Sequence, residues 1–202
     1  MSLWKTPNRG YTDCIECFEM EKEKLKWVNK SFLSSSPADF LIKDVLAAKP
    51  GEIRIGLDYS VCTGTFAARM MEQNVTIIST ALNLGAPFNG MMALLGVVPL
   101  YITPNQRRPF FDNTMDLIHT TRVLDGWVDM LLLDFILFDW DRALRPEGLL
   151  WIDRFSCNRE DLDDYMYMFL QFSYKKHKWV VAPESKGEVY LSALLEKLPR
   201  SV

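Results

Sequence analysis

The chain has 202 residues, 49% of them hydrophobic and 24% charged, a balance that excludes a wholly disordered polypeptide and allows a sizeable core. At about 150 residues per domain, this length fits one domain with an extension of roughly 40 to 50 residues. Lys and Arg number 23 against 26 Asp and Glu, a net charge of −3. That excludes a dedicated nucleic-acid binder, which needs a basic excess to neutralise phosphates.

No membrane span is expected. The longest apolar stretch, Met91–Tyr101, is interrupted by Gly96 and Pro99 and is far shorter than the ~20 residues a spanning helix needs. The opening MSLWKTPNRGYTD has no apolar h-region, so no secretory signal is expected. Four cysteines do not make a disulfide framework, and a reducing, cytoplasmic setting follows. Cys14 and Cys17 lack the further ligands a structural zinc needs and read as packing residues, so no metal is expected.

In chain order, Asp13 with Glu16 three residues later forms a capping-box signal. Cys14, Cys17, Phe18, Leu25 and Val28 follow at helical spacing, giving an amphipathic N-terminal helix. Ser34-Ser35-Ser36-Pro37 is a linker, so residues 1–37 are predicted as an extension and possible lid, and 38–202 as the main domain. A short helix is predicted over Asp39–Ala48, broken by Pro50-Gly51. Strands and helices then alternate: strand Glu52–Tyr59, helix Phe66–Gln73, strand Val75–Leu82, helix Phe88–Leu95, strands Val98–Thr103 and Met115–Thr120, helix Met130–Leu144, strand Leu149–Phe155 and helix Glu160–Phe172. Trp179–Ala182 and Val189–Leu195 close the chain as a hairpin. This alternation predicts an α/β fold with a mostly parallel sheet and helices on both faces.

In such a sheet the ligand lies beyond the carboxyl ends of the strands. The first strand-to-helix turn is therefore the first place to look. Asp58 closes the strand and Gly64 stands at the helix entrance, where backbone N–H groups can meet a ligand anion or form an ordinary turn. His119 and Asp153, at the ends of later strands, approach the same edge and are the catalytic candidates. His119 could serve as a base toward an acceptor hydroxyl or amine, or as a structural residue. Asp153 could instead pair with Arg154 at the surface. His177, in the run Lys175-Lys176-His177-Lys178, reads as solvated, and Trp127 reads as a core or rim residue or the wall of an acceptor pocket.

The stretch Asp58–Phe66 resembles the first motif of class I S-adenosylmethionine-dependent methyltransferases, acidic-x-Gly-x-Gly-x-Gly. Asp58 stands at the acidic position, Ser60 and Cys62 at the first two glycines, and Gly64 at the third. Pro109–Asn113 and Leu144–Leu150 are similar to further segments of that superfamily, and the whole chain resembles a plant group of uncharacterised methyltransferase-like proteins. The resemblance implies a Rossmann-like seven-stranded sheet with an antiparallel final strand. It also implies S-adenosylmethionine as cofactor over Asp58–Thr65, with Asn83 in place of the usual ribose-binding acid and Asp112 near the adenine. A small-molecule acceptor fits the short chain. Ser60, Cys62 and Asn83 depart from the pattern, which leaves two alternatives open: a repurposed enzyme catalysing a reaction such as a cyclisation, and a silent binding or regulatory pseudoenzyme.

Overall fold

The computed structural model describes residues 23–29, 36–59, 63–81, 92–121, 124–185 and 187–200. Seven strands form one sheet in the order β3-β2-β1-β4-β5-β7-β6. They are β1 (Ile55–Asp58), β2 (Thr76–Ala81), β3 (Pro99–Tyr101), β4 (Met115–Thr121), β5 (Leu144–Asn158), β6 (Lys175–Ser185) and β7 (Glu188–Glu196). The first five run parallel, and β7 pairs antiparallel with both β5 and β6. The expected mixed sheet with an inverted last strand is thus present. The helices bounded within the described residues are α1 (Ile42–Leu46), α2 (Thr65–Met71), α3 (Met130–Ala143) and α4 (Leu162–Leu170).

Alternating side chains divide the core between two faces of the sheet. On one, Leu57, Ile118, Leu150 and Ile152 pack with Leu133, Ile136, Leu137 and Trp140 of α3 and Phe169 of α4. On the other, Leu117, Leu149 and Trp151 pack with Ile42 and Val45 of α1, Phe66 and Met70 of α2, and Trp27. The entry to β1 is fixed by Asp116 of β4, which accepts from the backbone N–H groups of Arg54 (2.7 Å) and Ile55 (2.9 Å) and from Arg145 Nε (2.5 Å).

Several elements differ in extent from the sequence expectation. The helix predicted over Asp39–Ala48 is confined to Ile42–Leu46, because Leu41 is extended and caps it. The fifth strand, expected to end at Phe155, runs on to Asn158 because residues 155–158 pair with 188–191 of β7. Antiparallel pairing lengthens both arms of the final hairpin in the same way. The capping box and the Cys14/Cys17 pair lie outside the described residues, as does most of the helix expected at Phe88–Leu95, although 92–94 are helical. Among the described residues no helix is long and apolar enough to cross a membrane.

His177 is not solvated, as its basic neighbourhood suggested. It is half-buried, with Nε2 2.5 Å from Glu196 Oε2, and Lys49 (2.8 Å) and Lys175 (3.2 Å) share that carboxylate. Burial alone would raise the Glu196 pKa, but hydrogen bonds from Lys49, His177 and Lys175 outweigh it and hold the acid at about 2.

Candidate active site

Parallel register brings three of the expected residues together. Asp58 lies opposite His119, and Thr121 opposite Asp153. Residues paired in this way point to the same face, so both carboxylates flank one imidazole. His119 is 0% exposed; its Nδ1 donates to Asp58 Oδ1 at 2.9 Å, and Nε2 lies 3.8 Å from Asp153 Oδ2. Phe66 stacks on the ring at 3.8 Å between centroids, with Trp27 and Trp151 edge-on. Burial by itself favours the neutral imidazole, but the carboxylates of Asp153 and Asp58 outweigh it and raise the His119 pKa. The arrangement is a buried acid–base–acid bridge across the carboxyl ends of β1, β4 and β5.

Asp153 is not the surface carboxylate paired with Arg154 that its sequence neighbour suggested. It is buried and accepts a hydrogen bond from Trp27 Nε1 at 2.8 Å, while Arg154 Nε donates to Asp39 Oδ1 at 2.5 Å. The reason is a β-bulge between Ile152 and Phe155, which turns the two side chains toward different neighbours. Arg154 has a φ of 54°, and Trp27 a φ of 60°. Left-handed backbone costs a non-glycine residue on the order of 1–2 kcal/mol and persists only where its surroundings hold it. Both strained residues therefore mark the seam where the N-terminal segment meets β5.

That segment continues toward the first turn. Glu23 is buried beside Lys26 and accepts from Thr63 Oγ1 at 3.3 Å. The Thr63 hydroxyl also lies 2.9 Å from Thr65 Oγ1. Arg69 of α2 donates Nε to the Lys24 carbonyl at 3.0 Å, and Ile42 N–H donates to the Trp27 carbonyl at 2.9 Å. Between the threonines, Gly64 caps α2 with φ +77°, a conformation glycine adopts without strain. A Cβ there would come within 3.0 Å of Met92 Cγ.

Asp112 stays apart from this group. It precedes β4, at the end of the sheet opposite to His119, and is exposed and paired with Arg142 Nη1 at 2.9 Å. Ser60, Cys62 and Asn83 lie outside the described residues. Trp27, Glu23 and Thr63 were not among the sequence candidates. Helical periodicity put Glu23 on the polar side and Val28 on the apolar side of the expected N-terminal helix. Residues 24–28 instead form turns, Glu23 and Trp27 are buried and Val28 is exposed, because Glu23 and Trp27 pair with groups as far as 126 positions away.

No protein-family model matches the chain. Among curated proteins it is 43% identical over 208 residues to a probable methyltransferase of Arabidopsis thaliana, covering 96% of this chain and 54% of that protein. A second Arabidopsis probable methyltransferase is 31% identical over 119 residues, 55% of this chain and 18% of its own length. Among solved structures, a Methanosarcina mazei S-adenosylmethionine-dependent methyltransferase superposes with a TM-score of 0.62 at 10% identity, over 77% of this chain and 98% of that one. The chain has the fold of class I S-adenosylmethionine-dependent methyltransferases and is similar in sequence to these plant probable methyltransferases.

Two further relatives in fold were solved with ligands. The Burkholderia thailandensis 1,6-didemethyltoxoflavin N1-methyltransferase, bound to its substrate and S-adenosylhomocysteine, gives a TM-score of 0.61 at 14% identity over 96% of this chain and 93% of its own. A geranyl diphosphate methyltransferase bound to S-adenosylmethionine gives 0.60 at 14% identity over 97% and 94%. At such identities these methyltransferases share the fold with this chain. The chain spans about half the length of the first Arabidopsis relative.

The residues at this edge fit the cofactor of the methyltransferases that share this fold. Asp58 closes β1 and Glu23 accepts from Thr63 beside a left-handed glycine turn, two buried acids whose charge favours a ligand bearing sulfonium and ammonium groups. Ser79, opposite Asp58 on β2, has a buried hydroxyl with no hydrogen-bond partner among the described residues.

Proposed function

We propose that the chain binds S-adenosylmethionine over Asp58–Thr65 and transfers its methyl group to a small-molecule acceptor. The observation that carries this reading is buried Asp58 at the carboxyl end of β1 and left-handed Gly64 at the start of α2, the two ends of one turn, with buried Glu23 held by Thr63. When bound, the cofactor supplies an electrophilic methyl on a sulfonium leaving group. Asp58 and Glu23 favour that positive charge, Gly64 allows close approach of the backbone, and Thr63 and Thr65 hold the turn. Ser60, Cys62 and Asn83 complete the cofactor set in this proposal, and Asp112 does not belong to it.

His119 serves as a positioning residue rather than as the base toward the acceptor. Its ring is enclosed, and both nitrogens face carboxylates. It fixes Asp58 from behind, while Asp153 does the same for Trp27. Methyl transfer itself then rests on proximity and in-line orientation. The segment around Glu23 and Trp27 acts as the lid over the cofactor turn.

Calorimetry with S-adenosylmethionine and S-adenosylhomocysteine tests the reading. Micromolar binding supports it; no binding at millimolar ligand removes it. Binding created by Ser60→Gly/Cys62→Gly in a chain that otherwise lacks it identifies an eroded pocket. Turnover of a metabolite without cofactor would favour the repurposed enzyme. Retention of full affinity after deletion of residues 1–36 would refute the lid.

A further inference from the structure

The outer face of α3 carries large apolar side chains that no described element covers. Leu131, Phe135 and Phe138 follow at spacings of four and three, one line along the helix, with Trp127 in the turn just before it; the four are 81, 41, 55 and 64% exposed. The opposite line, Leu133, Ile136, Leu137 and Trp140, fills the core. Helix α3 thus has a second apolar line outside the core. The exposed line runs into a groove of about 490 Å³ between Phe138, Phe172 and Leu198. Phe138 meets Phe172 edge-on at 5.0 Å at its mouth.

The surroundings of this line are acidic. Asp129 caps the N-terminus of α3 and accepts from Leu132 N–H, Asp134 flanks the line and accepts from Gln171 Nε2, and Asp163 and Asp164 are exposed on neighbouring α4. Helix α4 has no Lys or Arg. The one basic residue of α3, Arg142, is engaged with Asp112 and Asp139, and Arg200 at the groove is engaged with Asp141.

We propose that this face docks a basic amphipathic helix of a partner polypeptide, its apolar ridge on the Leu131–Phe138 line and its Lys or Arg residues against Asp163 and Asp164. Size and charge select this occupant. At ~150–250 Å² per large side chain, the exposed line presents on the order of 500 Å². That falls short of the ~800 Å² per partner of a standard stable interface, but suits one helix anchored at i, i+4 and i+7. A second copy, or an anionic bilayer, would bring negative charge against the same aspartates, which opposes docking. This face shares no residue with the cofactor turn.

The probe is a synthetic amphipathic helix of Leu and Lys, titrated calorimetrically against the full chain, with a Leu/Glu helix of the same pattern as control. Binding of the Leu/Lys helix alone is expected. It should weaken about tenfold or more in Leu131→Asn/Phe135→Asn, the loss of a typical hot-spot contribution. Asp163→Asn/Asp164→Asn should weaken it less and reduce its dependence on salt. An unchanged melting temperature in each variant separates lost docking from lost fold. Equal binding of the Leu/Glu helix, or affinity unchanged in both variants, overturns the proposal. So does light scattering showing a dimer that Leu131→Asn/Phe135→Asn dissolves, or vesicle binding of the chain that the same variant abolishes.

Discussion

Replacing His119 by Gln removes the one positive charge that can stand between two buried carboxylates. Gln can still donate an amide N–H toward Asp58, so the pocket stays filled and the change is mainly electrostatic. Breaking a buried pair from one side costs about 3–5 kcal/mol, because the remaining charges stay uncompensated. In a domain of this size 1 kcal/mol moves the melting temperature by about 2–4 °C, so the loss is on the order of 10 °C. The cost depends on pH. The folded-state pKa of His119 is raised. Its stabilisation is therefore complete below the unfolded value of about 6.5 and fades as pH rises through the folded value. Thermal melts of both proteins across that range should show curves that approach one another as pH increases. A gap below about 1 kcal/mol, or one that does not change with pH, would refute the buried bridge.

Trp27→Phe keeps the aromatic packing and deletes the N–H to Asp153. Losing a hydrogen bond to a charged group costs about 1.5–3 kcal/mol, and hydrogen exchange should show faster opening at residues 23–29 and at the Ile42 amide. Gly64→Ala adds a Cβ 3.0 Å from Met92 Cγ at φ +77°, so a loss of about 1–2 kcal/mol in stability is expected, together with weaker S-adenosylmethionine binding by calorimetry. Glu196→Gln leaves Lys49, Lys175 and His177 around a neutral amide. Because the acid's pKa is depressed to about 2, its stabilisation is present above the unfolded value of about 4.3 and lost as pH falls toward 2. The variant should therefore lose least relative to the parent in acid melts.

Local pattern determined the order and type of the elements, because strands and helices differ in the period at which apolar residues recur, and that period is written in neighbouring residues. The Asp58–Gly64 turn and the strand-end residues His119 and Asp153 were legible for the same reason: a parallel sheet sends all its carboxyl ends to one edge. Their partners were not. Nothing near Asp153 in the chain announces Trp27, and its sequence neighbour Arg154 pointed to the wrong ion pair until the bulge in β5 separated them. His177 shows the same limit, since the three side chains that hold Glu196 come from β6 and the turn after α1. Asp112, grouped with the cofactor residues by resemblance, lies at the other end of the sheet. Charge and hydrogen bonding act through space over a few ångströms, across strands and segments far apart in the chain. The sequence by itself therefore determined where the candidate site lies, and only the tertiary structure decided which side chains meet there and that His119 is enclosed between two acids.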